Sequence, residues 1–147
     1  MPRKKKTKNL EEDISKQIQE ALEAEEVAKK RKKRDIELRK FLIPTLRRSS
    51  YRWKPRTEAN KNARLERGVY QCAMCQGEFK SGETVIDHVD PVVCIENGWQ
   101  GWEEYIERMF CEEEGFQVLC KTCHSIKTKM EEDMRKKFRR DKKNEKD

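Results

Sequence analysis

The sequence has few apolar residues and no long apolar run. Only 34% of its 147 residues are hydrophobic, whereas 43% are charged. A membrane-spanning helix needs about 18 or more consecutive apolar residues, and the chain has no such run. The basic start, residues 1–6, is not followed by an apolar stretch and so does not predict a secretory signal. We therefore expect one small domain with appendages, no membrane association and a cytoplasmic location.

Histidine is scarce and internal repeats are absent. Of histidine and cysteine, two residue types that commonly bind metals, cysteine is the more frequent. The chain has 2 histidines and 6 cysteines. Since export is not expected, the cysteines are predicted to be metal ligands or buried thiols rather than disulfides.

Charge is unevenly distributed along the chain. The net charge of +7 divides into +11 over residues 1–67, −9 over residues 68–134 and +5 over residues 135–147. The acidic middle holds every cysteine and both histidines, and two basic arms flank it. Basic arms favour a polyanionic partner, while carboxylates and thiols in the middle suit a metal site. This division is typical of a metal-dependent enzyme that acts on nucleic acid.

The N-terminal arm is predicted to be mostly helical over residues 1–50. Apolar residues spaced almost every four positions form a narrow stripe, namely Leu10, Ile14, Ile18, Leu22 and Val27. A protein partner or self-association through this Leu10–Val27 stripe is one interpretation. The six consecutive basic residues 29–34 are either a solvated helical face or phosphate contacts. Pro44 predicts that the helix ends at or before it.

Residues 46–56 (LRRSSYRWKPR) interleave basic and aromatic side chains. This composition is typical of a nucleic-acid groove, although Tyr51 and Trp53 could instead cover the flank of the domain. The predicted nucleic-acid-binding residues in this segment are Arg47, Arg48, Arg52, Trp53, Lys54 and Arg56. A helix over residues 57–67, stopped by Gly68, is predicted to follow.

The compact unit is predicted to be α+β and to lie within residues 51–134. Strands are expected at Val69–Gln71 and at Thr84–Ile86, with a turn at Lys80–Glu83 between them. The apolar pattern of residues 102–110 predicts a helix with one core-facing side. A last helix is expected from about Lys121 to Arg140, so that a basic tail over residues 135–147 is helical in part.

Two C-x2-C pairs are separated by 44 residues: Cys72 with Cys75, and Cys120 with Cys123. Four thiolates from two tight turns complete a tetrahedral Zn²⁺ site with no open position, so the predicted role is structural. A thioredoxin-like redox pair would explain one C-x-x-C but not both. Cys94 and Cys111 lack paired spacing and are predicted to be buried thiols.

Both histidines stand next to residues that suit a second site. His88 follows Asp87 at the end of a predicted strand, and His124 follows the last cysteine of the zinc site. The zinc site brings these segments together, where carboxylate and imidazole suit a divalent ion and a histidine suits a general base. Adjacent strand residues point to opposite faces, so we expect a break in the strand at Asp87 and His88.

These motifs together resemble a known enzyme family. Y-x-C-x2-C, then I-D-H-V-x-P, then L-C-x2-C-H-x2-K-T, over about residues 69–130, is similar to the zinc-clamped HNH endonucleases common in phages and mobile elements. The lead-in RTEANKNARLERGVYQC is similar as well. The resemblance implies a ββα-metal (His-Me finger) domain and a location in the host cytoplasm if the chain is phage-encoded.

The resemblance also implies roles for individual residues. Asp87 and His124 would hold a catalytic divalent cation such as Mg²⁺ or Mn²⁺, and His88 would deprotonate the attacking water. Lys127 and Thr128 would contact the substrate phosphate. The expected activity is a metal-dependent DNA endonuclease or nickase that leaves 5′ phosphate and 3′ hydroxyl ends.

The sequence departs from the family at Gly115, where the family has an asparagine that braces the loop carrying the general base. Either the backbone or a neighbour such as Glu114 takes over that role, or the base is less well oriented. Two other functions therefore stay open. One is a non-catalytic zinc module that binds nucleic acid or docks on a protein assembly, and the other is an RNA-binding or ribosome-associated zinc protein.

Overall fold

The computed structural model describes residues 3–145, with side chains described from residue 10 onward. The chain divides into two compact units, Met1–Leu46 and Arg47–Asp147. The class is α+β. The helices of the described residues are α1 (Arg3–Ser50), α2 (Lys54–Asn62), α3 (Trp102–Met109) and α4 (Lys121–Asn144). The strands are β1 (Arg64–Glu66), β2 (Val69–Gln71), β3 (Glu78–Lys80), β4 (Thr84–His88) and β5 (Phe116–Cys120).

Helix α1 is longer than the sequence predicts. It contains Pro44 and ends only at Ser50, so the predicted end at or before the proline is wrong. A proline inside a helix removes one backbone donor and crowds the preceding turn at a cost of about 3 kcal/mol or more, and α1 nevertheless continues for six residues beyond it. The Ser50 hydroxyl donates to the Arg47 carbonyl at 2.7 Å, which satisfies one of the acceptors left open at the helix end.

The apolar stripe of α1 is solvent-exposed. Its five side chains, from Leu10 to Val27, retain between 47% and 64% of their accessible surface. The flanking helix surface is held by exposed pairs four residues apart, such as Glu25 with Lys29 at 2.7 Å. Pairs of this kind each contribute only a few tenths of a kcal/mol, about 0.3–0.5. A protein partner for the stripe stays a prediction.

The segment after α1 differs from the expected helix over residues 57–67. Helix α2 starts earlier, at Lys54 with Pro55 in its first turn, and ends at Asn62. Residues 64–66 are then strand β1, which pairs antiparallel with β2. Gly68 has a φ of +79°, the left-handed conformation that a tight hairpin turn requires. The glycine therefore marks a hairpin rather than a helix end.

The strands form two small antiparallel sheets. Strands β1, β2 and β3 form the first sheet in that order, and β4 pairs with β5 in the second. The β4–β5 register is regular over five residue pairs, from Thr84 with Cys120 to His88 with Phe116. Strand β5 is nearly all buried and so lacks the alternation of a half-exposed strand. For that reason the sequence pattern did not reveal it.

The two C-terminal helices confirm their predictions. The predicted apolar face of α3 buries Tyr105 and Met109. Helix α4 begins at Lys121 as expected, directly after β5, and continues to Asn144. Its N-cap is Cys120, whose sulfur accepts a hydrogen bond from the Cys123 N–H at 3.4 Å.

The tightest core lies where the first sheet meets the β5–α4 junction. Leu119 and Cys72 are fully buried there, with Phe79 packed against them. Cys94 and Cys111, predicted to be buried thiols, are only partly buried because they lie in the loops flanking α3. Within residues 3–145, none of the helices combines the length and the apolar composition that a membrane span requires.

The buried position of Leu119 leads to a stability prediction. Leu119→Ala should lower the free energy of unfolding by about 2–5 kcal/mol, because the lost side chain leaves a cavity in a closed core. Leu65→Ala, at a 50% exposed position on β1, should change it by no more than about 0.5 kcal/mol. Urea unfolding of the zinc-loaded protein measures both values. Equal losses in the two variants would contradict this description of the core.

Candidate functional site

The four paired cysteines come together in one cluster. Their sulfur atoms all lie within 4.8 Å of one another. Cys72 and Cys75 belong to the turn between β2 and β3, while Cys120 and Cys123 flank the start of α4. A zinc ion at about 2.3 Å from each of four sulfurs spaces them about 3.8 Å apart. The cluster therefore fits a structural metal ion such as zinc.

Backbone hydrogen bonds favour negative charge in this cluster. Burial opposes ionisation of the Cys72 thiol, but the N–H groups of Cys75, Cys120 and Met74 outweigh it and lower its pKa to about 6. The contact with the Cys120 side chain, followed by burial, raises the pKa of Cys123 to about 12. Metal binding must therefore displace protons from the cluster, which makes the affinity fall as the pH falls.

Asp87 lies next to α4, although strand β4 and helix α4 are far apart in sequence. Its Oδ1 atom is 3.9 Å from His124 Nε2. Its Oδ2 atom is 2.9 Å from Lys127 Nζ and accepts a longer hydrogen bond, 3.4 Å, from Gln117 of β5. The two carboxylate oxygens therefore face different neighbours.

The His88 ring is held by the backbone of α3. Its Nε2 lies 3.0 Å from the Met109 carbonyl oxygen, and its ring contacts Phe116 with centroids 4.8 Å apart. Because a carbonyl oxygen only accepts hydrogen bonds, Nε2 must carry a proton in this contact. In the neutral ring the lone pair then belongs to Nδ1.

The expected break in the strand at Asp87 and His88 is absent. Both residues keep regular pairing with β5, and His88 is the last residue of β4. They nevertheless line the same groove, together with His124.

Gly115 braces the loop after His88 through its backbone. Its carbonyl oxygen accepts a hydrogen bond of 2.9 Å from the Val89 N–H. A Cβ atom at position 115 would lie 2.5 Å from Cys111 Sγ, which is too close for any side chain without movement. The sequence left open whether the backbone or a neighbour such as Glu114 braces this loop, and the structure shows the contact from the backbone.

The groove has a volume of about 560 Å³ and a predominance of positive charge. Two carboxylates line it, those of Asp87 and Glu131. Four cations line it as well, namely Arg47, Arg56, Lys127 and Arg135. Thr128 lines it as well, and its hydroxyl donates to the His124 carbonyl at 2.9 Å. Such a groove favours a polyanionic ligand.

The other predicted nucleic-acid-binding residues lie outside this lining: Arg48, Arg52, Trp53 and Lys54. The indole N–H of Trp53 donates to the Cys111 carbonyl at 2.7 Å, and its ring packs edge-on against Phe110. These contacts match the alternative in which Trp53 covers the flank of the domain.

Among the predicted nucleic-acid-binding cations of residues 46–56, Arg56 is partly buried whereas the others are exposed. Its guanidinium donates to the Ile86 carbonyl at 3.2 Å and lies 4.6 Å from the centre of the Tyr51 ring. Burial lowers its pKa, against a smaller opposite effect of Tyr51. An arginine stays protonated under any such shift, so Arg56 brings a fixed positive charge to the tip of β4.

Four contributors to the site were not predicted as site residues from the sequence, and Arg135 in the groove lining is one of them. Glu131 contacts Lys127. Its position four residues after Lys127 on a predicted helix could have indicated this ion pair. Gln117 lies opposite Asp87 only because of the β4–β5 register. The Met109 carbonyl is a backbone group and has no sequence signature.

Comparison with known proteins gives no match: no family model, no curated protein and no solved structure is significantly similar to this chain. The case for a function therefore depends on the chain's own residues.

The sulfur cluster leads to a metal-binding prediction. Elemental analysis of the purified protein should find about one zinc per chain, since four thiolates close one tetrahedral site. Cys120→Ser should lose the ion and unfold the zinc-bound unit, because metal binding and folding are coupled there. Cys94→Ser, outside the cluster, is the matched control and should keep both. A Cys120→Ser protein that folds normally without metal would contradict the prediction.

Proposed function

We propose that the protein is a metal-dependent DNA endonuclease or nickase of the HNH type. The observation that carries this proposal is the approach of Asp87 Oδ1 to His124 Nε2, 3.9 Å apart, in a cationic groove that His88 also lines. The order of elements supports a ββα-metal arrangement, because the antiparallel pair β4–β5 continues directly into α4.

Asp87 and His124 would hold the catalytic divalent cation, whether Mg²⁺, Mn²⁺ or another. Two atoms bound to one ion at about 2.1 Å each lie at most about 4.2 Å apart, and the 3.9 Å separation falls within that limit. Carboxylate oxygen and imidazole nitrogen are accepted ligands of hard and borderline divalent ions. Such a cation would supply Lewis-acid polarisation of the phosphate and stabilisation of the leaving 3′ oxygen.

His88 would act as the general base. With Nε2 donating to the Met109 carbonyl, Nδ1 is free to take a proton from the attacking water. The Phe116 contact and the hydrogen bond from Val89 N–H to the Gly115 carbonyl restrain the ring and the following loop. These contacts support a well-oriented base despite the glycine at position 115.

The cations of the groove would bind the DNA backbone. Arg47 and Arg56 line it from the α1–α2 side, and Arg135 lines it from α4. Contacts to phosphates release counterions and make affinity strongly salt-dependent, but they carry no base-specific information. The proposed substrate is accordingly DNA without a stated sequence preference, cut to 5′ phosphate and 3′ hydroxyl ends as the resemblance implies.

A second candidate is a non-catalytic HNH-like zinc module that binds nucleic acid or docks on a protein assembly. The observation that favours it is the Lys127 ammonium, which already lies 2.9 Å from Asp87 Oδ2 and compensates its charge without a metal. The two candidates differ in one readout. The module would bind DNA tightly and leave supercoiled plasmid intact at all concentrations of Mg²⁺ or Mn²⁺.

His88 provides the test of catalysis. Wild-type protein should nick supercoiled plasmid in the presence of Mg²⁺ or Mn²⁺, and His88→Ala should lower the rate by about 10²–10⁴-fold, the usual contribution of a general base. Glu114→Ala is the matched control, and it should keep its rate because the Gly115 carbonyl, rather than the Glu114 side chain, braces the loop. Equal rates for wild type and His88→Ala would remove the mechanism.

Two adjacent arginines on α1 test the groove. Both Arg47 and Arg48 are exposed, but only Arg47 lines the groove. Arg47→Met should reduce the slope of log affinity against log salt by about 0.9, the value for one lost phosphate contact, and Arg48→Met should leave it unchanged. Fluorescence anisotropy with a short labelled duplex, without added divalent cation, measures both. Equal slopes for the two variants would argue against this groove as the DNA site.

A further inference from the structure

The Lys127 ammonium is surrounded by three acceptors, two at the end of β4 and one on α4. It donates to the Asp87 carboxylate at 2.9 Å, to the His88 carbonyl at 2.9 Å, and to the carboxylate of Glu131. An ammonium group has three N–H donors, so these three acceptors use all of them. Only 20% of the Lys127 side chain is exposed.

This arrangement does not suit a phosphate contact. A lysine that binds substrate phosphate needs a free donor, whereas the Lys127 ammonium already has three acceptors within the chain. By contrast, Arg47 lines the same groove and is exposed. The resemblance implied a phosphate contact for Lys127, but its contacts point inward, toward the residues of the site itself.

The two oxygens of Asp87 are divided between two tasks. Oδ2 receives Lys127 and, at 3.4 Å, Gln117, whereas Oδ1 faces His124 Nε2 at 3.9 Å. Hydrogen bonds to the second oxygen of a metal-binding carboxylate fix its orientation, and their loss commonly costs about 10–100-fold in metal affinity or activity. The same ammonium also fixes the backbone of His88, so one side chain restrains two residues of the site.

Glu131 makes this arrangement compatible with a cation. An ammonium beside a divalent ion would repel it, but Lys127 contacts two carboxylates, Asp87 and Glu131, so the three groups together carry a net negative charge. Glu131 is itself only 16% exposed and has Arg135 at 4.0 Å, so it is held in the groove wall.

We propose that Lys127 is a positioning residue that orients Asp87 and the end of β4 for cation binding, with Glu131 as its counter-charge, and that it does not contact the substrate phosphate. This inference rests on the proposed function, because it assigns Lys127 a role in the same site. In place of a contact between Lys127 and a DNA phosphate, it assigns to Lys127 the orientation of the Asp87 carboxylate.

Two measurements on zinc-loaded protein separate the two roles. The first is Mn²⁺ binding without DNA, followed by electron paramagnetic resonance. Lys127→Met should weaken it by about tenfold or more, since Asp87 loses its orienting partner. The second is the salt dependence of DNA binding without added divalent cation, which Lys127→Met should leave unchanged because no phosphate contact is lost.

Controls come from the same helix. Lys129→Met, at an exposed position two residues on, should leave Mn²⁺ binding unchanged. Glu131→Gln keeps the Lys127 side chain, and it is the variant to measure if Lys127→Met does not retain zinc. It should weaken Mn²⁺ binding, because the three groups then carry no net negative charge, and it should not alter the salt slope.

In the plasmid assay, Lys127→Met should lower kcat by about tenfold or more while KM for DNA stays unchanged. A salt slope reduced by about 0.9 together with unchanged Mn²⁺ binding would overturn the inference in favour of a phosphate contact. Wild-type protein that binds no Mn²⁺ beside its zinc would overturn it as well. If Lys127→Met weakens Mn²⁺ binding but wild type does not nick plasmid, the positioning role is supported and the nuclease function alone fails.

Discussion

The candidate site depends on the junction at which β5 becomes α4. Cys120 ends the strand and caps the helix, and its own N–H donates to the Cys72 sulfur at 3.3 Å. This joins the β2–β3 turn to the start of α4. Because β5 also pairs residue by residue with β4, the position of Asp87 relative to the helix is fixed by the same junction. In a chain with only 34% hydrophobic residues, a zinc ion held at this junction would contribute much of the stability, since apparent binding free energies of structural zinc, about 10–16 kcal/mol, match the whole stability of a small domain.

The parts of the site that could be predicted are those with local sequence signatures. Two C-x2-C pairs predict a shared metal site because the spacing and the chemistry agree, and the sulfurs do come together. The proximity of Asp87 and His124 followed from that predicted closure, and the structure brings them within 3.9 Å. The helix of residues 102–110 and the last helix were predicted from apolar period and from start signals alone.

The features that escaped prediction depend on tertiary contacts or on the backbone. Pro44 was predicted to end the helix, but the helix continues through it despite the cost of about 3 kcal/mol or more that an interior proline carries. Strand β5 carries no alternation because both of its faces are covered. At Gly115 the sequence left open whether the backbone or a neighbouring side chain braces the loop after His88, and the carbonyl makes the contact. The Met109 carbonyl, which holds the His88 ring, could not be predicted because a backbone oxygen is present at every position of every sequence.

The sulfur cluster is unevenly shielded: three of its cysteines are buried, whereas Cys75 is exposed. Cys75 would therefore be the first sulfur to react with an oxidant, and a competing chelator would first displace the bond between Cys75 and the metal. For an ion held in the cluster, release would begin at the Cys75 bond while the three buried sulfurs still hold it. The exposure of one sulfur would thus make a fold that depends on metal sensitive to an oxidising or metal-poor medium.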